Sequence, residues 1–252
     1  MSVLAVLAVF VSRLADAVEP LFAASATAAA VVLFTVLVRV ALHPLTRAAF
    51  RGERARAALA PRLAELKRRH PGPRNADRLQ KAVQEMYAEA GTSPLAGCLP
   101  LLVQLPVFFV MYQVFSADRI GGEDNGLLTQ GLFGTPLGSR WTEVLGNGGV
   151  FGPHGLVFLG LFAAIAAVAG WTVLRARRAM AAGQGPVPPA GDEPGAAVMG
   201  RMVRVMPLMA FGTLVTAAVV PLAAGLYLLT TTAWTAAERA WLQHRWDGRS
   251  SP

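Results

Sequence analysis

The sequence predicts an all-α polytopic membrane protein, with five transmembrane helices and a cytoplasmic helical hairpin inserted after the first. Three observations carry that expectation. Hydrophobic residues make up 54% of the chain and gather in long, nearly uncharged runs. Those runs have the roughly 17 to 25 residues that a hydrocarbon layer of about 30 Å requires. The basic residues are unevenly shared among the segments between the runs, and the longest polar segment shows helical periodicity.

The runs Leu21–Val38, Cys98–Ala117 and Val150–Leu174 each suffice for one crossing, whereas Val205–Ala237 is longer and contains Pro207 and Pro221. Eleven Lys/Arg lie between His43 and Gly97, five between Arg175 and Arg204, and three between Arg239 and Arg249. Residues 118–152 carry only Arg119 and Arg140. The positive-inside rule therefore places the first three segments in the cytoplasm and the fourth outside. Arg204 and Arg239 then share a side, so the stretch between them crosses twice and turns near Pro221. The expected order is a surface helix (1–20), first span (21–42), cytoplasmic hairpin (43–97), second span (98–117), outer loop (118–149) and third span (150–174). A cytoplasmic loop (175–204), two spans (205–220 and 221–238) and a cytoplasmic tail (239–252) complete it. The last two spans are near 25 Å long at about 1.5 Å per residue, short enough to favour local thinning of the bilayer.

Residues 1–20 lack a basic start, and Arg13, Asp16 and Glu19 interrupt their apolar run. An amphipathic helix on the outer surface fits that pattern, with a signal anchor as the alternative. The net charge of +8 reads as a topology signal, so no direct nucleic-acid function is expected. Cys98 is the only cysteine, which excludes an intramolecular disulfide and a cysteine-based metal cluster. The sequence has no GxxxxGK[ST] and no catalytic cluster. Neither an enzyme activity nor a metal or cofactor is expected.

Within 43–97, Leu59, Leu63 and Leu66 fall on one helical face, and Leu79, Val83, Met86 and Ala90 on another. The break between them is HPGPRN, whose prolines and glycine end one helix and start the next. Residues 180–198 are a Gly/Pro/Ala-rich loop.

Arg39 ends an otherwise lipid-like run, LFTVLVRVALHPLT. An arginine at mid-span costs roughly 2.5 to 3.5 kcal/mol on the insertion-derived scale. It lies four residues before His43, so snorkelling to the cytoplasmic edge is one reading. Against it, helical side chains lean toward the N-terminus, which for this span is outside. Thr35, Val32, Ala28 and Ser25 continue its face with small or polar groups that can line a wet cavity. Other spans add Gln104, Tyr112, Thr213, Thr216 and Tyr227, and the threonines 230–232. Singly, such groups more often join helices than bind ligands. No Asp or Glu falls inside the apolar runs, so the expected counter-charge of Arg39 is water, a lipid headgroup or a visiting substrate.

The stretch EMYAEAGTSPLAGCLPLLVQLPVFFVMYQVF, residues 85–115, resembles the signature segment of the YidC, Oxa and Albino family of membrane protein insertases. Met86, Tyr87, Pro94, Gly97, Cys98, Leu99, Pro100, Gln104, Pro106, Phe108 and Tyr112 carry the likeness. VRVALHPLT resembles the family's arginine-bearing core helix, and VPLAAGLYLLTTTAWTAAERAWLQ its last helix. Ser93 and Thr232 stand where the family usually has asparagine. The resemblance is to a short bacterial form without a large extracytoplasmic domain, in the plasma membrane and with a short cytoplasmic tail. It implies insertion and assembly of nascent membrane proteins through a groove of Arg39, Thr35, Gln104, Tyr112, Thr213, Thr216 and Tyr227. It also implies the lipid bilayer, the ribosome, targeting machinery and the Sec translocon as candidate partners. Two other classes remain: a small-solute or anion transporter or channel using Arg39 as its site, and a non-catalytic assembly scaffold.

Overall fold

The computed structural model describes residues 3–70, 72–91, 99–120, 122–147, 149–181 and 206–247. These are mostly helical and divide into two compact units. One comprises Met1–Ala41, Pro106–Arg175 and Leu208–Pro252; the other comprises Leu42–Leu105 and Ala176–Pro207.

In the first unit, α1 (Val3–Phe22) is followed by a 3-10 turn (Ala23–Ser25) and by the start of α2 (Ala26–Arg69). Ala23 takes a positive φ of 44° at this corner. Val11 and Ala15 of α1 are buried, and the Phe10 and Phe34 rings meet at 5.7 Å. The inner face of α1 thus joins the same apolar core as α2. α4 (Leu99–Ser116) contributes Met111, Val114 and Phe115, and α6 (Pro153–Ala181) contributes Phe158, Leu161 and Ile165. The buried positions of α6 are Gly155, Phe158, Leu161, Ile165, Ala169 and Val173, a stripe at helical spacing. Its other sides expose Leu156, Trp171 and Leu174. Exposed apolar side chains recur on α2 at Leu33, Leu37 and Val40, a liability in water and the expected surface against lipid.

The stretch Val6–Arg69 and the helix Pro153–Ala181 are long and apolar enough to cross a membrane, and Leu208–Val219 is a shorter apolar helix. A 3-10 turn (Met206–Phe211) leads into α7 (Gly212–Val219), and α8 (Leu222–Asp247) follows. Val220 is extended between them, with ψ 159°, so the chain turns beside Pro221. At Gly225, an added Cβ would stand 2.7 Å from Leu161 Cδ2, which marks a close approach of α8 to α6.

The segment after α4 is built as a folded cap. Two short hairpins, β1 (Arg119–Ile120) with β2 (Glu123–Asp124) and β3 (Gly131–Leu132) with β4 (Thr135–Pro136), precede α5 (Trp141–Asn147). Phe133 and Gly134 turn the second hairpin with φ 49° and 82°, the left-handed pair that a tight two-residue turn needs. Buried Asn125 ties the cap to α4: Nδ2 donates to Val114 O at 2.9 Å and Ala117 O at 3.0 Å, and Oδ1 accepts from Leu127 N. The cap also satisfies the otherwise orphaned donors that open α8. Leu222 N donates to Ser139 O at 3.0 Å and Ala223 N to Leu137 O at 2.9 Å.

In the second unit, residues 42–69 of α2 continue without a break and α3 (Ala76–Glu89) follows a 3-10 turn at Pro73–Asn75. Gly72, at φ 80°, makes the corner. The expected boundary between a first span at 21–42 and a hairpin from 43 therefore does not interrupt the helix. Pro44 and Pro61 both lie inside it. Each proline lacks one ladder donor, and the Ala-, Leu- and Arg-rich sequence around them favours helix. Leu59, Leu63, Leu66, Leu79 and Val83 are half-buried, Met86 and Tyr87 are buried, and Ala90 is exposed. Cys98, residues 182–205 of the expected cytoplasmic loop and residues 248–252 of the expected tail lie outside the described residues.

Candidate functional site

Arg39 is half-buried on α2, one helical turn beyond Thr35. Thr35 is only 1% exposed, and its hydroxyl donates to Val31 O at 2.7 Å, so its polarity is spent within its own helix. Tyr227 and Glu238, both on α8, are near enough to the guanidinium of Arg39 for their ionised forms to act on it, and of the two Glu238 is the one that carries charge at neutral pH. Tyr227 and Glu238 are buried. At α-helical spacing Tyr227, Thr231, Trp234 and Glu238 share one face of α8, being four, seven and eleven residues along from the first.

An aromatic row extends this face. The Tyr227 ring lies 6.1 Å from Phe108 and 6.2 Å from Phe115, and Phe108 stacks on Tyr112 at 6.0 Å and 20°. Tyr112 is exposed at the end of the row, so the row runs from the protein interior to its surface. Within the first unit the structure thus groups Arg39, Tyr112 and Tyr227 of the residues expected from sequence. Thr213 donates to Ala210 O at 2.7 Å and Thr216 to Gly212 O at 3.4 Å. Both hydroxyls serve their own local backbone. Gln104 lies in α4, with its side chain outside the described residues.

The sequence reading named Thr231 among the threonines 230–232 but missed Glu238, Phe108 and Trp234 as neighbours of this site. The apolar run closes at Ala237, so Glu238, the last residue of the expected span 221–238, is not counted as an acidic group inside the membrane. Helical spacing from Tyr227 was the available signal: continued for three turns, it arrives at Glu238. A buried carboxylate on the face that carries Tyr227 gives Arg39 an acidic neighbour inside the chain. Chemically, the arrangement presents a cation on α2 and a carboxylate, a phenol, a hydroxyl and an indole on one face of α8. It can attract and exchange charged or hydrogen-bonding groups, and among the described residues no His/Cys/Asp/Glu cluster suited to a metal ion occurs.

A family profile described as 60Kd inner membrane protein matches residues 20–249. The inner membrane protein ALBINO3 of Arabidopsis thaliana is 36% identical over 107 residues, which are 42% of this chain and 22% of that protein. A membrane protein insertase YidC of Laribacter hongkongensis is 45% identical over 89 residues, 35% of this chain and 16% of the relative. Another, of Parabacteroides distasonis, is 35% identical over 85 residues, 34% and 13% respectively. The matched stretches span less than a quarter of these relatives.

Proposed function

The chain belongs to the 60Kd inner membrane protein family, and from that membership we propose that it is a membrane protein insertase acting through a wet groove that includes Arg39, Tyr112 and Tyr227. The observation that carries this reading is the half-buried Arg39 within electrostatic reach of buried Tyr227 and Glu238 on the face of α8 that also carries Thr231 and Trp234. A polar tail crossing hydrocarbon must give up hydration, and each unsatisfied backbone group costs several kcal/mol there. A groove that keeps water near Arg39 shortens the dry part of that path. At 4 Å a unit charge pair is worth about 4 kcal/mol at an effective dielectric of 20, against about 1 kcal/mol in bulk water. Arg39 therefore draws an acidic tail inward while holding it weakly enough for release. The apolar helix of the substrate then leaves sideways into lipid, driven by its own burial. No covalent step is needed.

The test is insertion of single-span substrates by reconstituted protein, with translocated tails of graded charge and equal protein levels. Arg39→Lys retains most activity because the charge remains, although the planar fork is lost. Arg39→Ala fails chiefly on acidic tails, and Arg39→Glu is worse because it repels them. Activity of Arg39→Ala that is independent of tail charge would remove the electrostatic mechanism. Solute flux without insertion would favour a transporter. Orientation, with the hairpin and the C-terminus cytoplasmic, is tested by labelling Arg74→Cys and Thr129→Cys in a Cys98→Ser background. Both positions are exposed. Thr129→Cys should label from outside in intact cells, and labelling only after the membrane is breached overturns the orientation.

A further inference from the structure

Glu238 is 7% exposed, and a carboxylate removed from water to that degree is costly unless positive charge or hydrogen bonds compensate it. The two helices concerned give an independent reason to set it level with Arg39. α8 opens at the cap, where Leu222 N and Ala223 N bond to Ser139 O and Leu137 O. α2 opens at the same end, where Ala26 and Thr27 line a cavity with Asp124, Asn125 and Leu127 of the cap. At 1.5 Å per residue, Arg39 then lies about 20 Å along α2 and Glu238 about 24 Å along α8, comparable depths from one end of the unit. The electrostatic coupling between them agrees with that register.

The face between Tyr227 and Glu238 has a second property. Among the described residues, Thr231 Oγ1 and Trp234 Nε1 are buried without a hydrogen-bond partner. Each such donor carries a desolvation cost of about 1–3 kcal/mol until an acceptor reaches it. Donors on a face whose two ends, Tyr227 and Glu238, interact with the Arg39 cation select for an acceptor that carries negative charge, and a carboxylate side chain supplies both properties.

We propose that Glu238 is the resident counter-charge of Arg39 and that an acidic residue of the inserting substrate displaces it, taking Arg39 as its cation and Thr231 and Trp234 as its donors. The proposal rests on the insertase reading and adds a specificity element to the same site. Exchange of one carboxylate for another on the same guanidinium leaves Glu238 without its cation, a cost that Glu238 limits by turning to water or taking up a proton. The incoming residue gains by satisfying the two donors, and that gain offsets part of the cost of displacing Glu238. Glu238 thus raises the threshold that a weakly acidic tail must pass and speeds release of a strongly acidic one. It is a specificity-determining residue and takes no part in any bond-making step.

Two measurements on the full chain test this. In detergent, Arg39→Gln and Glu238→Gln each lower Tm, and the double variant recovers at least half of the summed loss, because removing both members of a buried pair costs less than removing one. Strictly additive losses overturn the pairing. In proteoliposomes, a photocrosslinker at Tyr112 reads substrate occupancy for a single-span protein with an acidic or a neutral translocated tail. Glu238→Gln should raise the acidic-to-neutral crosslinking ratio about five-fold or more, the lower range of a typical coupling between two sites. Glu238→Asp, which keeps the charge, should stay near the parent ratio. An unchanged ratio in Glu238→Gln overturns the displacement. Absence of any crosslink to either tail in the parent protein overturns the insertase reading and the displacement with it, while the melting cycle still reports on the pair.

Discussion

The stretches 26–41 and 42–69 of α2 belong to one continuous helix and are held by different means. Over 26–41, Ala28, Ala30, Val31, Phe34 and Thr35 are buried among side chains from distant parts of the sequence. Over 42–69, Phe50 is the one buried residue among those described, and Leu59, Leu63 and Leu66 are half-buried. Charged groups there bond along the helix itself, as Arg69 does to Glu65, and Arg54 lies over the Phe50 ring at 5.6 Å. Backbone continuity therefore says little about how firmly a helix is held. Density of tertiary contact decides that, and the two stretches should respond differently to the same kind of substitution.

The largest difference is expected from matched truncations. Phe34→Ala removes a buried ring that meets Phe10 and should cost about 3 kcal/mol, the low end for a core phenylalanine. Phe50→Ala should cost less than half of that, because Phe50 lies outside the core cluster that holds Phe34 and is covered in part by Arg54 of its own helix. Thermal unfolding of both variants in detergent makes the comparison, and equal shifts in Tm would break it.

Asn125→Ala should follow at about 2 kcal/mol, since it leaves the Val114 and Ala117 carbonyls and the Leu127 amide without their partner. Its signature is a lower Tm together with faster proteolysis within 118–149. A loop that stays resistant would show that the cap is held by its apolar residues alone.

Deleting 54–90 should reduce insertion about ten-fold, equivalent to about 1.4 kcal/mol, with the Tm of the remaining chain shifted by only a few degrees. The reason is the hairpin's charged surface and its thin apolar stripe, which suit it to receiving a substrate or partner more than to holding the core. Insertion at the parent level would make this segment a linker.

The smallest effect belongs to Glu65→Ala. Glu65 and Arg69 are exposed and one turn apart, so their pair should contribute about 0.5 kcal/mol or less and fade with added salt. A larger, salt-independent loss would mean that 42–69 is held by tertiary contacts after all.

Much of this architecture was legible in the linear sequence, and the hairpin illustrates why. The half-burial of Leu59, Leu63, Leu66, Leu79 and Val83 follows from apolar periodicity, and the corner at Gly72 from a glycine between prolines. The turn at Pro221 was legible for the same reason, because a proline beside an extended residue stops a helix locally. Arg39 was also legible as a charge in a place that demands explanation. The passage of α2 through Pro44 and Pro61 was not, because local propensity permits either a break or a continuous helix there, and the surrounding ladder settles the choice.

By itself, then, the sequence determined which segments are apolar, where the positive charge accumulates and which side chains share a helical face. These are properties of composition and spacing along one chain. Only the tertiary structure decided that the Gly-rich segment after α4 folds into a cap whose carbonyls satisfy the first amides of α8, and that Thr35 spends its hydroxyl on Val31. It also decided that Glu238, just past the last apolar run, is buried and shares an electrostatic neighbourhood with Arg39. The free energy of a charge or an unpaired amide depends on what surrounds it in space, and those surroundings come from residues far away in sequence.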